Sequence, residues 1–136
     1  MVEHGADHRT PELVVEVFVR DLDRSLDFYC DLGFELESRT GGFAILHWQG
    51  RLWFLDERPD LPPHEGSERA NVRVMVPDVD AMWRRVRALR VPVATPIADR
   101  HYGQRDFTVR DPDGFGIRFA TRIEDLPGPT DPPSAA

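Results

Sequence analysis

The stretch LVVEVFVRDLDRSLDFYCDLGFEL, from Leu13 to Leu36, lies over ANVRVMVPDVDAMWRRVRALRVPV, from Ala70 to Val93, at a constant offset of 57 residues. Val15, Val17 and Val19 match Val72, Val74 and Val76, and Asp21 and Asp23 match Asp78 and Asp80. Further on, Leu32 matches Leu89, and Phe34 and Leu36 fall on Val91 and Val93. One register that aligns a strand, an aspartate pair, a helix and a second strand is a duplicated structural unit. Alternation at the head of each copy predicts a half-buried strand. The Asp-x-Asp that follows supplies a side-chain cap for a helix amino end.

Working outward, residues 23–31 and 79–90 read as helices, the second with Met82, Val86 and Leu89 on one face and Arg84, Arg85, Arg87 and Arg90 on the wet side. Short strands follow: Phe34–Arg39, Gly42–Trp48 and Arg51–Glu57 in the first copy, Val91–Thr95, Asp106–Arg110 and Gly116–Thr121 in the second. Gln49-Gly50 suits a two-residue hairpin turn. Asp111-Pro112-Asp113-Gly114 suits a type I turn, with Pro second and Gly fourth. The reading is an α+β fold of two paired βαβββ modules: a tail at 1–11, modules at 12–58 and 69–123, a Pro-rich linker at 59–68 and a Pro-rich disordered tail at 124–136. Four strands with one helix leave a sheet face uncovered. Two such faces form a concave half-barrel suited to a small-molecule site.

The 136 residues suffice for one hydrophobic core of this kind. No stretch approaches the roughly 20 apolar residues of a membrane helix, and the polar start is unlike a signal peptide, so the expectation is a cytoplasmic protein. A single cysteine, Cys30, excludes an internal disulfide, and it reads as a small packed hydrophobe in the first helix. All 17 basic residues are Arg, which excludes lysine Schiff-base chemistry. Residues 1–68 carry 15 acidic and 6 basic residues, net −9, and residues 69–136 carry 9 and 11, net +2. This balance argues against nucleic-acid binding, which needs a concentrated basic face.

The paired units, the opening from Val15 to Phe34 and the ending Tyr102-Gly-Gln-Arg-Asp-Phe with Asp111-Pro-Asp-Gly resemble the vicinal oxygen chelate superfamily. That superfamily spans glyoxalase I, extradiol dioxygenases and bleomycin-resistance proteins. The resemblance covers residues 12–123 and is closest to the bleomycin-resistance type. It implies metal ligands, in the enzymes of the superfamily, at the positions of Val14, Asn71 and Arg118, with a fourth near Trp53 or Leu55. Valine has no donor atom, a guanidinium repels cations, and one amide oxygen does not hold a divalent ion alone. No metal or other cofactor is therefore expected.

Glu16, the nearest substitute donor, is better placed as an ion-pair partner for Arg73 or Arg118. Ser25 and Ser38 have no His–Asp neighbours in sequence for a triad. His47 on a strand suits a hydrogen-bonded structural role better than that of a general base. His4 and His8 lie on the tail, a poor place for a metal. The inward faces are expected to offer Phe18, Phe43, Trp53, Met75 and Tyr102 as apolar walls, with Glu16, Glu37, Asn71 and Arg73 as polar points and Arg118 at the lost metal position. Phe18 and Phe28 suit core packing better. The resemblance implies a homodimer whose two clefts hold a planar, cationic drug, with Phe43 and Glu37 on matching cleft positions and Tyr102 in place of a Trp. The expectation is thus a metal-free protein that sequesters an amphipathic or cationic antibiotic-like ligand and is no enzyme. Beside it stand a metal-dependent lyase or dioxygenase with ligands drawn from Glu16 and His47, and a partner-binding accessory protein.

Overall fold

The computed structural model describes residues 13–65, 68–128 and 131–135. The expected tail at 1–11, with His4 and His8, lies outside the described residues. The chain divides after Pro62 into two compact units. Among the described residues no helix is long and apolar enough to cross a membrane.

The first unit runs β1 (Val15–Val19), α1 (Leu22–Leu32), β2 (Glu35–Thr40), β3 (Phe43–Trp48) and β4 (Arg51–Glu57). Its sheet has the order β1-β4-β3-β2, antiparallel except for the parallel β1–β4 pair. Asp21 caps α1, its carboxylate accepting from the Arg24 amide at 3.2 Å, and the neighbouring Leu22 amide donates to Glu57 at 2.9 Å. These two acids satisfy amide groups that a helix start leaves without partners. Gly33 ends the helix at φ +115°, and a Cβ there would sit 3.0 Å from the Trp48 ring, so any other residue would be strained and crowded. Leu22, Leu26, Tyr29 and Leu32 of α1 bury against Val17, Val19, Ala44, Leu46, Trp53 and Leu55. Tyr29 meets Phe34 edge-on at 5.2 Å, and Trp53 lies 6.0 Å from both rings. Gln49 and Gly50 both take positive φ, the two-residue hairpin turn expected between β3 and β4.

The second unit repeats the plan: β5 (Asn71–Met75), α2 (Val79–Ala88), β6 (Val93–Asp99), β7 (Gln104–Arg110) and β8 (Gly116–Arg122), ordered β5-β8-β7-β6 with β5 parallel to β8. Asp78 caps α2 as Asp21 caps α1. The Val79 amide donates to Thr121 on the last strand, the role that Glu57 plays for Leu22. The Asp111–Gly114 turn forms as expected, with the Asp111 carboxylate accepting the Asp113 and Phe115 amides at 2.9 Å.

Several boundaries differ from the sequence reading. Helix α2 ends at Ala88 because Arg90 takes φ +58°, the left-handed position that Gly33 fills one repeat earlier. The stripe therefore buries Val79, Trp83 and Val86, while Leu89 is exposed. Strand β6 reaches Asp99 through two register shifts, and β7 begins two residues early, at Gln104. A short 3-10 turn, Ile123–Asp125, follows β8. Beyond it, the Ser134 carbonyl accepts from the Trp83 indole at 3.0 Å and the Ala135 carbonyl from Arg87 at 3.1 Å.

Beneath α2 the core contains a charge. Arg105 is fully buried, with Nη1 2.9 Å from Asp80 and Nε 2.7 Å from Asp99. Those contacts outweigh the effect of burial and raise the guanidinium pKa above its ordinary value.

Two stability outcomes follow from these contacts. Asp80→Ala strands the Arg105 charge and is expected to lower unfolding free energy by about 3 kcal/mol in urea titrations, while Asp80→Leu combined with Arg105→Met recovers most of that loss. Arg90→Gly relieves the left-handed strain and is expected to raise stability by about 0.5–1 kcal/mol in the same assay.

Candidate functional site

In each unit the helix covers one sheet face, and strand alternation assigns every second side chain to the other. On the first sheet the open face carries Glu16 and Phe18 from β1, Phe43, Ile45 and His47 from β3, and Leu52, Phe54 and Asp56 from β4. Phe43 and Phe54 meet edge-on at 5.2 Å. Phe18, 44% exposed and so no core residue, has the Arg58 guanidinium 4.2 Å above its ring. Arg58 in turn bonds Asp56 at 2.9 Å. His47 stands 3.7 Å from the exposed Glu35.

The expected wall residue Trp53 is not on this face. It pairs with Val15, points beneath α1 and is 4% exposed. Its neighbour Phe54 takes the open position, one residue out of phase with the sequence reading. Glu37 is the extra residue of a bulge between Leu36 and Ser38, where it is exposed. Cys30 is exposed instead of packed. Partial burial of its sulfur and the charges of Asp31 and Asp27 push its pKa up, which keeps the thiol protonated and a poor nucleophile.

The second sheet presents a different surface. Asn71, Arg73 and Met75 of β5, Arg118 and Ala120 of β8, and Gln104, Asp106 and Thr108 of β7 share its open face. At its centre the Asp106 side chain is fully buried, surrounded by cations. Arg100 Nε lies 2.8 Å from its Oδ1, and Arg73 Nη1 lies 3.1 Å from its Oδ2. The Tyr102 hydroxyl donates to Oδ2 at 2.5 Å and accepts from Arg118 Nη1 at 3.2 Å. Arg118 Nη1 itself stands 3.7 Å from Oδ2, and its Nε donates to Thr108 at 3.0 Å. Burial pushes the Asp106 pKa up, but hydrogen bonds from Tyr102, Arg100 and Arg73 and the charge of Arg118 prevail and hold it below its ordinary 3.8.

Of the expected site residues, Arg73, Tyr102 and Arg118 converge on this cluster, and Asn71 and Met75 flank Arg73 on the same strand. Sequence reasoning missed Asp106 and Arg100. Asp106 was legible as one of Tyr102, Gln104, Asp106 and Thr108, a two-residue spacing whose polar run marks the open side of a strand.

The positions at which the resemblance implies metal ligands do not fit one. Arg118 is a fixed cation engaged by Thr108 and Tyr102, while Trp53 and Leu55 both point under α1. Among the described residues no three His, Cys, Asp or Glu side chains gather where they could hold an ion.

The chain belongs to the Glyoxalase/Bleomycin resistance protein/Dioxygenase superfamily, whose family model matches residues 12–119. Within it, the chain is 31% identical to a bleomycin resistance protein of Geobacillus stearothermophilus, over 78% of this chain and 92% of that one. It shares its fold with a glyoxalase/bleomycin resistance protein/dioxygenase from Alicyclobacillus acidocaldarius, at TM-score 0.71 and 18% identity over 89% of this chain and 95% of the other. TioX from Micromonospora sp. ML1 is similar at TM-score 0.68 and 27% identity, over 82% and 98%.

The sign of the Asp106 shift fixes a pH dependence. A carboxyl held below 3.8 stabilises the fold above that pH, and the contribution disappears as pH falls through the folded value. Asp106→Asn is expected to cost about 2 kcal/mol near neutrality, discounted for the partly exposed arginines. The gap from wild type should close in urea titrations carried below that pH.

Proposed function

We propose that this protein captures an amphipathic, aromatic small molecule of the bleomycin type and holds it unchanged, as a cytoplasmic homodimer that uses neither metal nor organic cofactor. The observation that carries this reading is the character of the chelating positions: an aliphatic at Val14, an amide at Asn71 and a guanidinium at Arg118, the last tied into a hydrogen-bonded cluster. A site so altered retains surface for binding and lacks the groups for metal-assisted chemistry. The kinship with a bleomycin resistance protein supports sequestration as the role, and with it antibiotic resistance.

The two open faces suit a ligand with an aromatic body. Phe43, Phe54 and Ile45 give edge and face contacts on the first, with Glu16 beside them for a positive group. On the second, Met75 and Tyr102, each 45% exposed, offer apolar surface beside the arginines. Trp48 and Trp53 lie on the helix-covered side of the first sheet, and Trp83 belongs to the buried face of α2, so heat or melting temperature is a better readout than tryptophan fluorescence.

Isothermal titration and thermal-shift measurements with bleomycin test the proposal, beside elemental analysis of the purified protein. Bleomycin is expected to raise the melting temperature progressively with concentration, saturating at one ligand per subunit. Phe43→Ala and Phe54→Ala should each weaken binding about tenfold. Metal content should fall well short of stoichiometric. Stoichiometric zinc, nickel, iron or manganese would overturn the reading in favour of a lyase or dioxygenase. No melting shift across a panel of aromatic antibiotics would overturn it outright.

A further inference from the structure

The cluster around Asp106 is out of electrical balance. Three guanidinium groups, from Arg73, Arg100 and Arg118, surround one carboxylate, which leaves two positive charges on that patch of sheet. Four other acids of the unit are paired elsewhere: Glu68 with Arg110, Asp80 and Asp99 with Arg105 on the helix face, and Asp125 with Arg122. The neighbours on the open face, Gln104 and Thr108, are neutral. Like charges gathered on a partly dry surface repel one another, and an incoming anion offsets that cost.

The groups are also held in place. Arg73 is fixed by Gln104 at 2.7 Å and by Asp106, and Arg118 by Thr108 and the Tyr102 hydroxyl. These bonds engage Nη1 of Arg73 and Nε and Nη1 of Arg118, fewer than the five N–H donors that a guanidinium carries. Both side chains remain reachable, at 35% and 22% exposure. Donors already fixed by neighbours lose little freedom on binding, and a guanidinium matches the paired oxygens of a carboxylate, sulfonate or phosphate.

We infer that the open face of the second sheet is an oxyanion subsite, in which Arg73 and Arg118 receive a carboxylate, sulfonate or phosphate group of the captured molecule while its apolar body rests on Met75 and Tyr102. The inference rests on the small-molecule reading above and adds the chemistry of one end of the ligand. Asp106 is the positioning residue, holding the cations together without touching the guest.

The test uses the full chain with 2-naphthoate, its cationic counterpart 2-naphthylmethylamine, and inorganic sulfate. Wild type should bind 2-naphthoate by calorimetry, sulfate should compete more strongly than chloride at equal ionic strength, and added salt should weaken binding. Arg73→Gln and Arg118→Gln should each lose about tenfold in affinity for 2-naphthoate. Neither should weaken 2-naphthylmethylamine, and Arg84→Gln on the exposed side of α2 should leave both probes unaffected. Arg73→Lys and Arg118→Lys keep the charge and lose the fork. They should show intermediate losses, and they carry the test if a Gln variant melts too low to assay. Equal 2-naphthoate binding by wild type and the arginine variants would overturn the subsite. Bleomycin binding without any 2-naphthoate binding would overturn it too, and leave the proposed function standing. Absence of 2-naphthoate binding together with no melting shift across the panel of aromatic antibiotics would remove both.

Discussion

A helix of ten or eleven residues covers one face of a four-stranded sheet and no more, and among the described residues each half of this chain has one such α-helix. Strand alternation then sorts every second side chain into a covered core or an open surface. The covered faces hold the interlocked aromatics Tyr29, Phe34 and Trp53 in one unit and Trp83, Phe107 and Phe119 in the other. They carry the stability, so residues on the open faces are free to be polar, charged or singly aromatic. Arg105 is the exception that follows the rule: it points into the covered side and is tolerated only with Asp80 and Asp99 beside it.

The two open faces have diverged although they descend from one repeat. The first is aromatic and acidic, the second carries arginines around a single carboxylate. This divergence restates, in three dimensions, the opposite net charges of the two halves of the sequence. Arg118 is its sharpest instance. The resemblance implies a carboxylate ligand at that position in the enzymes of the superfamily, whereas this chain places a hydrogen-bond donor there. An electron-pair donor suited to a metal has become a fixed cation, and the polarity of the guest that suits the face changes with it.

The architecture was legible because it rests on local rules: alternation, aspartate caps and turn residues, each repeated at the same offset. The errors mark where local rules stop. Trp53 and Phe54 adjoin on one strand, both aromatic, and the parallel register with β1 alone decides which is covered. The bulge at Glu37 and the shifts in β6 belong to pairing geometry, which composition does not carry. The end of α2 was overread because arginine favours helices and nothing in its chemistry announces a left-handed conformation. The Asp106 cluster gathers residues from β5, the β6–β7 turn, β7 and β8, so its members look like ordinary surface charges until the sheet assembles them.

The parallel closure of each sheet also governs the order of events during synthesis. Among the described residues strand β1 pairs with β4, Val15 opposite Trp53, and β5 with β8, Asn71 opposite Gly116. Each opening strand therefore leaves the ribosome with an unpaired edge and stays so for several seconds, at the usual elongation rate of roughly 5–20 residues per second. The parallel pairing of each half forms only once its final strand emerges, and the high sequence separation of that contact slows the search. The same circuit that closes the sheet thus makes the nascent chain a natural client for chaperones.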